Sequence, residues 1–298
     1  MTAGNLFSRV LIPLDGSKHA ERALETLSEV PTAAELVVVA VISPRLLPEG
    51  SMLALASAEE YLRGVCASFQ DGSWRLTAEV RTGDAAEEIL RAAEQHKPSL
   101  VVMSTHGRSG FVRLVRGSVT ERVLRNCRVP LLMLNPTARF EPPKTILVPH
   151  DGSDTADQVL DPVISLARAF TASVTLFRVQ APRFASFLPT QVDPELSTPD
   201  RVEAQLAAET LDRQLQLLQS AGVEANVERA RGESGPAPAI LEAAERFDLV
   251  ALASHGRSGW SRWSLGSVAE STLRACPCPV LVQRITSPSS TAEGASSA

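Results

Sequence analysis

The sequence predicts an α/β protein built as two tandem domains, each a five-stranded parallel sheet flanked by helices. Three observations carry that expectation. Short runs of Val, Ile and Leu recur without polar alternation, as expected of strands buried on both faces of a parallel sheet. Segments of helical periodicity separate them, giving the order β-α-β-α-β-α-β-α-β in each half. The whole pattern is also written twice. His106-Gly107-Arg108-Ser109-Gly110 precedes Gly117-Ser118-Val119, and His255-Gly256-Arg257-Ser258-Gly259 precedes Gly266-Ser267-Val268 at the same spacing. Upstream, Val10–Leu14 with Asp15-Gly16-Ser17 is echoed by Ile146–His150 with Asp151-Gly152-Ser153.

Each element follows from its residues. Val10–Leu14 is an apolar run that meets an Asp-Gly-Ser turn, and Ala20–Ser28 places Ala23, Leu24 and Leu27 on one helical face. Leu36–Ile42 is a β-branched run stopped by Pro44. A helix over Leu53–Phe69 and a strand over Arg75–Arg81 come next, and Gly83-Asp84 then caps a helix over Ala85–His96. Leu100–Ser104 and Leu131–Leu134 are the fourth and fifth strands, separated by a helix over Val119–Asn126. In the second half, strands are expected at Thr145–Pro149, Val174–Val179, Glu224–Arg229, Leu249–Ala253 and Val280–Gln283. That half is longer by a Pro-rich loop, Ala181–Asp200, ahead of a long helix over Val202–Ser220. These patterns give domains at 1–138 and 143–285. The linker Asn135–Pro143 holds three prolines that discourage regular structure, and the Ser/Thr/Ala/Gly tail 286–298 is expected to be disordered.

Composition narrows the function. A net charge of −5 argues against general nucleic-acid binding, which shows as a basic face. No apolar run approaches the ~18 residues of a membrane span, and the N-terminus has no charged start followed by an apolar segment. The expected location is therefore cytoplasmic. Cys66, Cys127, Cys276 and Cys278 show no Cys-x-x-Cys spacing. Cys276-Pro277-Cys278 can be read as a redox or metal pair, but Cys127, its counterpart, stands alone, and small buried apolar residues are the favoured reading.

Ligands of open α/β sheets bind outside the carboxyl ends of the strands. Both repeated motifs sit there, since Asp15 and Asp151 end first strands and the Gly-bearing loops follow fourth strands. Each loop ends in Gly-Ser at a helix start, where free N–H groups and the positive dipole end suit an anion. Arg108, Arg113 and Arg116, with Arg257 and Arg262, can add positive charge. Two readings stay open. Ser118-x-x-Glu121 and Ser267-x-x-Glu270 are also capping boxes that would satisfy the helix without a ligand. Asp15 and Asp151 can close local Asx turns or accept hydrogen bonds from a ribose or base. His106 and His255 lack a repeated acidic partner nearby and read as structural, and Trp260 and Trp263 read as packing.

On these motifs the chain resembles the universal stress protein family over nearly its whole length. The ATP-binding branch of that family carries Gly-x-x-Gly, nine residues, then Gly-Ser or Gly-Thr. Gly107, Arg108–Arg116 and Gly117-Ser118 reproduce the spacing, as do Gly256, Arg257–Leu265 and Gly266-Ser267. Ser104 and Ala253 stand where the pattern's first glycine is expected. The resemblance implies ATP, with Mg²⁺, in each domain. Its binding residues map to Asp15, Val41, Ser104, Gly107, Arg108, Gly110, Gly117, Ser118 and Val119 in the first half. In the second they map to Asp151, Val179, Ala253, Gly256, Arg257, Gly259, Gly266, Ser267 and Val268. It also implies a Rossmann-like sheet of flavodoxin-like order 3-2-1-4-5, with the two fifth strands facing each other across a two-fold axis.

The function these features imply is a cytosolic stress-response protein whose nucleotide occupancy acts as a signal. With no Walker Lys, general base or acidic metal cluster in the sequence, only slow hydrolysis is expected. The rival is a nucleotide-independent interaction module of the same family, and pairing of whole chains into a homodimer stays open. Leu14 precedes Asp15 whereas His150 precedes Asp151, so the two sites are expected to be inequivalent.

Overall fold

The computed structural model describes residues 5–28, 30, 35–43, 51–68, 74–104, 118–134, 141–153, 155–180, 199–254 and 266–285. The glycine-bearing loops, the 181–198 part of the insertion, residues 135–140 of the linker and the tail 286–298 lie outside them.

The first half runs β1 (Arg9–Leu14), α1 (Lys18–Ser28), β2 (Glu35–Ile42), α2 (Ser51–Ser68), β3 (Arg75–Thr82), α3 (Ala85–His96), β4 (Leu100–Ser104), α4 (Ser118–Asn126) and β5 (Leu131–Leu134). The second runs β6 (Thr145–Pro149), a 3₁₀ turn (Ala156–Val159), α5 (Leu160–Phe170), β7 (Ser173–Gln180), α6 (Pro199–Ser220), β8 (Ala225–Arg231), α7 (Pro236–Ala244), β9 (Leu249–Ala253), α8 (Ser267–Ala275) and β10 (Val280–Gln283). Asp84 caps α3 as its sequence implies, with Oδ1 accepting from the Glu87 N–H at 3.1 Å.

The strands form one sheet rather than two. Its order is β3-β2-β1-β4-β5-β10-β9-β6-β7-β8. All neighbours within a half are parallel, and the single reversal is the antiparallel pair β5–β10, with Leu132 opposite Leu281. A central strand buried on both faces needs apolar residues at every position, which is why β4, β5, β9 and β10 carry no alternation. One face packs on α1, α2, α5 and α6 through residues such as Ile12, Leu24, Val38 and Leu211. The other packs on α3, α4, α7 and α8 through Val37, Ile89, Val123 and Ile240. Both cores run across the joint, Leu132 and Leu281 belonging to the first and Leu131, Met133, Val280 and Val282 to the second.

A second seam ties the halves together. The Leu6 N–H donates to Ser165 Oγ at 2.7 Å, and Phe7 meets Phe170 of α5 edge-on with ring centres 5.7 Å apart. The outer strands β3 and β8 are only partly buried and carry charged side chains. Such charges keep an open sheet edge from recruiting further strands. Among the described residues, no helix is long and apolar enough to cross a membrane.

Candidate functional site

Asp15 and Asp151 follow the last residues of their first strands in tight turns. Gly16 and Gly152 adopt φ of 78° and 79°, a conformation only glycine takes without strain, so the Asp-Gly-Ser order is a backbone requirement. Oδ1 of Asp15 accepts from the Ser17 N–H at 3.0 Å. Oδ1 of Asp151 accepts from the Ser153 N–H at 3.0 Å and from its hydroxyl at 2.6 Å. The Asx turn is thus present in both halves, and it uses one carboxylate oxygen of each Asp. Arg178 of β7 donates to the backbone carbonyl of Asp151 and braces that turn from the next strand.

Behind Asp151 sits His150, whose ring is fully buried. Its Nδ1 accepts from the Gly152 N–H at 3.0 Å, and Nε2 lies 3.0 Å from Asp157 Oδ1. With Nδ1 accepting, Nε2 carries the proton and donates to the carboxylate. Gln214 of α6 donates to the same Asp157 oxygen. In the first half Leu14 fills the place of His150, and Glu21 instead accepts from Tyr61 of α2 at 2.9 Å. The two halves therefore anchor their long second helix through different polar pairs.

These turns border a cavity of about 330 Å³ in the second half, at the carboxyl ends of β6, β7 and β9. Its walls are apolar, formed by Pro149, Phe177 and Val179 on one side and Ile240, Leu252 and Ala253 on another. Asp151 contributes a carboxylate, and the first turn of α8, Gly266 to Ala269, forms part of the wall. Val179 is held in place by Gly232, where an added Cβ would fall 2.5 Å from Val179 Cγ1.

The start of α8 distinguishes the two readings of the Gly-Ser motif. The helix begins at Ser267, its N-cap is Gly266 with φ 18° and ψ 136°, and a glycine there brings no side chain to cap it. The Glu270 N–H makes the first helical bond, to the Gly266 carbonyl at 2.9 Å. The amides of Ser267, Val268 and Ala269 precede that bond and belong to the cavity-lining turn. Glu270 reaches forward to Arg274 at 2.8 Å instead of back to the helix start. Glu121 does the same with Arg125 at 2.7 Å. In the second half, Ser267 and Glu270 do not adopt the capping-box geometry.

Among the described residues no group of three His, Cys, Asp or Glu is placed to hold a metal ion. Two perturbed carboxylates lie away from the cavity, in the first half. Burial would raise the Glu79 carboxyl, but hydrogen bonds from Arg81 and His96 outweigh it and hold the group below its ordinary value. The Glu87 N–H and the Arg122 guanidinium hold Asp84 low in the same way.

A model of the universal stress protein family matches residues 6–135 and, again, residues 143–284. The chain belongs to the universal stress protein family. A universal stress protein of Methanocaldococcus jannaschii is 33% identical over 141 residues, 44% of this chain and 83% of that one. One from Mycolicibacterium smegmatis is 23% identical over 296 residues, 92% of this chain and 96% of its own. Among solved structures, a universal stress protein from Archaeoglobus fulgidus superposes with a TM-score of 0.71 at 22% identity, covering 93% of this chain and 98% of that one. That last likeness is one of fold.

In this member of the universal stress protein family, six residues singled out from sequence gather around the cavity of the second half: Asp151, Val179, Ala253, Gly266, Ser267 and Val268. Their first-half counterparts Asp15, Val41, Ser104, Ser118 and Val119 lie at or near the carboxyl ends of β1, β2 and β4 and at the start of α4. Gly107, Arg108, Gly110, Gly117, Gly256, Arg257 and Gly259 lie outside the described residues. Sequence reasoning missed Phe177, Pro236 and Ile240 in the wall. The signal for the last two was Gly232, a glycine just past the third strand of the half and four residues before the proline that opens α7.

Proposed function

We propose that each half of this universal stress protein binds ATP, and that occupancy, rather than rapid turnover, is the output. The observation that carries this reading is the first turn of α8, which no side chain among the described residues caps, lining a mostly apolar cavity. A ligand suited to that space pairs a flat apolar body with an anionic tail. An adenine between Val179 and the apolar walls, with phosphates toward the amides of Ser267 and Val268, fits both demands. The Asp151 carboxylate lines the same cavity and would meet the ribose. The glycine-bearing loops, with Arg108 and Arg257, would complete the phosphate side in each half.

Mg²⁺ would arrive with the phosphates, since the described residues offer no acidic cluster to hold it alone. No general base is set against a phosphate position among the described residues, which supports slow hydrolysis at most. The reading includes a cytoplasmic location, a pairing of the domains through their fifth strands as one working unit, and further pairing of whole chains.

The test separates the amide from the hydroxyl. Ser267→Ala removes only the side chain, whereas Ser267→Pro also removes the N–H. Proline is tolerated at the first helical position, and Gly266 has the extended ψ that a residue before proline needs. Titration calorimetry with Mg·ATP should show Ser267→Pro binding about tenfold more weakly in the second half than Ser267→Ala, the value of one charge-assisted hydrogen bond. Absence of any heat with the unmodified chain at millimolar Mg·ATP would instead favour the nucleotide-independent module.

A further inference from the structure

Cys276 and Cys278 flank Pro277 in the turn between α8 and β10, and their sulfurs lie 3.6 Å apart. The place of a buried cysteine as a small apolar residue explains Cys127, which shares a core with Leu131 and Val123. It does not explain a second sulfur brought into contact with the first. The matching stretch of the first half reads Cys127-Arg128-Val129, so only the second half holds the pair. The two thiols are also unlike. The hydrogen bond shared with Cys278 holds the Cys276 thiol below the ordinary thiol range against the effect of burial. Cys278 is pushed up by that same partnership, by burial and by the charge of Asp248. Among the described residues there is no third metal-ligating side chain in reach.

We propose that Cys276 and Cys278 are a peroxide-reactive dithiol that closes to an intrachain disulfide, a modification site confined to the second half. Cys276 is 7% exposed and Cys278 is half-buried, so a small peroxide fits the approach better than a bulky disulfide. The Cys276 thiolate attacks one peroxide oxygen, the O–O bond breaks, and the departing hydroxide takes a proton from solvent as water. Cys278 then loses its proton and attacks the sulfenic sulfur. The S–S bond forms as the S–O bond breaks, and the second hydroxide leaves as water with that proton. Two thiols are oxidised by two electrons and one peroxide is reduced to two waters. The sulfurs must close from 3.6 Å to about 2.0 Å, a movement within the turn.

Tryptic cleavage after Arg274 and Arg284 isolates both cysteines in one peptide, away from Cys66 and Cys127. Full-length protein is treated with hydrogen peroxide or with glutathione disulfide, alkylated, digested and weighed. The expected result with peroxide is a peptide Ala275–Arg284 lighter by two hydrogens and unalkylated, restored by dithiothreitol. In Cys278→Ser the reaction should stop at a sulfenic acid on Cys276 that dimedone traps. Full alkylation of both cysteines after peroxide has consumed Cys66 overturns the proposal, as does linkage of either to Cys66, Cys127 or a second chain. Closure by glutathione disulfide but not by peroxide overturns the peroxide assignment. Closure in the unmodified chain without a trapped adduct in a folded Cys278→Ser overturns Cys276 as the attacking sulfur. The unmodified chain alone decides the matter if that variant does not fold.

Discussion

Asp151 has two tasks that a single substitution can separate. Asparagine keeps the oxygen that accepts from Ser153 but loses the charge, whereas alanine loses both. Asp151→Asn should therefore unfold in urea within about 0.5 kcal/mol of the unmodified protein, and Asp151→Ala about 1 kcal/mol earlier. Both should weaken Mg·ATP binding in the second half if the carboxylate meets the ligand; a loss confined to Asp151→Ala would assign the residue to its turn alone. Gly232→Ala places a methyl 2.5 Å from Val179 Cγ1 and 2.9 Å from the Gly235 carbonyl, and overpacking of that kind costs about 1–3 kcal/mol by urea unfolding. Glu79 gives a pH test. Its folded pKa is depressed, so its contribution is present above the ordinary carboxylate value of about 4.3 and is lost as pH falls through the folded value. Glu79→Gln should lower stability at pH 7 and leave it nearly unchanged well below pH 4, read from urea midpoints across that range. At this scale the sequence shows the residue types but not their angles. The glycines of both Asp-Gly-Ser turns were readable, whereas the need for Gly232 depends on a strand neighbour fifty residues away in the chain and shows only in three dimensions.

Periodicity located the helices and strands to within a few residues, because apolar runs and capping residues are local signals. It misjudged the helix after the glycine-bearing loop by one position. Ser267 reads as a cap from its spacing to Glu270, yet the helix starts on it and Gly266 takes the cap position. Local composition is blind to that choice, since Ser and Gly are both good N-caps. The long second helix of each half shows the same limit. α6 is anchored by Gln214 to Asp157, which His150 also donates to, and α2 by Tyr61 to Glu21. Nothing in either helix's own pattern announces those partners. His150→Leu copies the first-half residue and strips Asp157 of one donor while Gln214 remains. It should cost about 1–3 kcal/mol of stability through the polar partner left short, and calorimetry should show whether the second site then binds more like the first.

The ten-stranded sheet unites the two halves into one mechanical body. Leu132 and Leu281 face each other across the antiparallel joint, and neither is exposed to solvent. Leu132→Ala and Leu281→Ala should each cost about 2–5 kcal/mol, and the double variant should fall short of their sum by about 0.5–3 kcal/mol because they share one contact. Additive losses would mean that each strand is packed by its own half alone. The repeat in the sequence foretold two copies of one topology. The facing of their fifth strands came from the family resemblance; the residues alone showed only apolar fifth strands that need cover.

Because the one antiparallel step lies at the centre, strands on its two sides point their carboxyl ends toward opposite margins of the sheet. The turns of Asp15 and Asp151 thus open in different directions, with the full depth of the sheet between them. A rigid body seated over one turn therefore leaves the other uncovered, and two bodies can rest on a single chain at once.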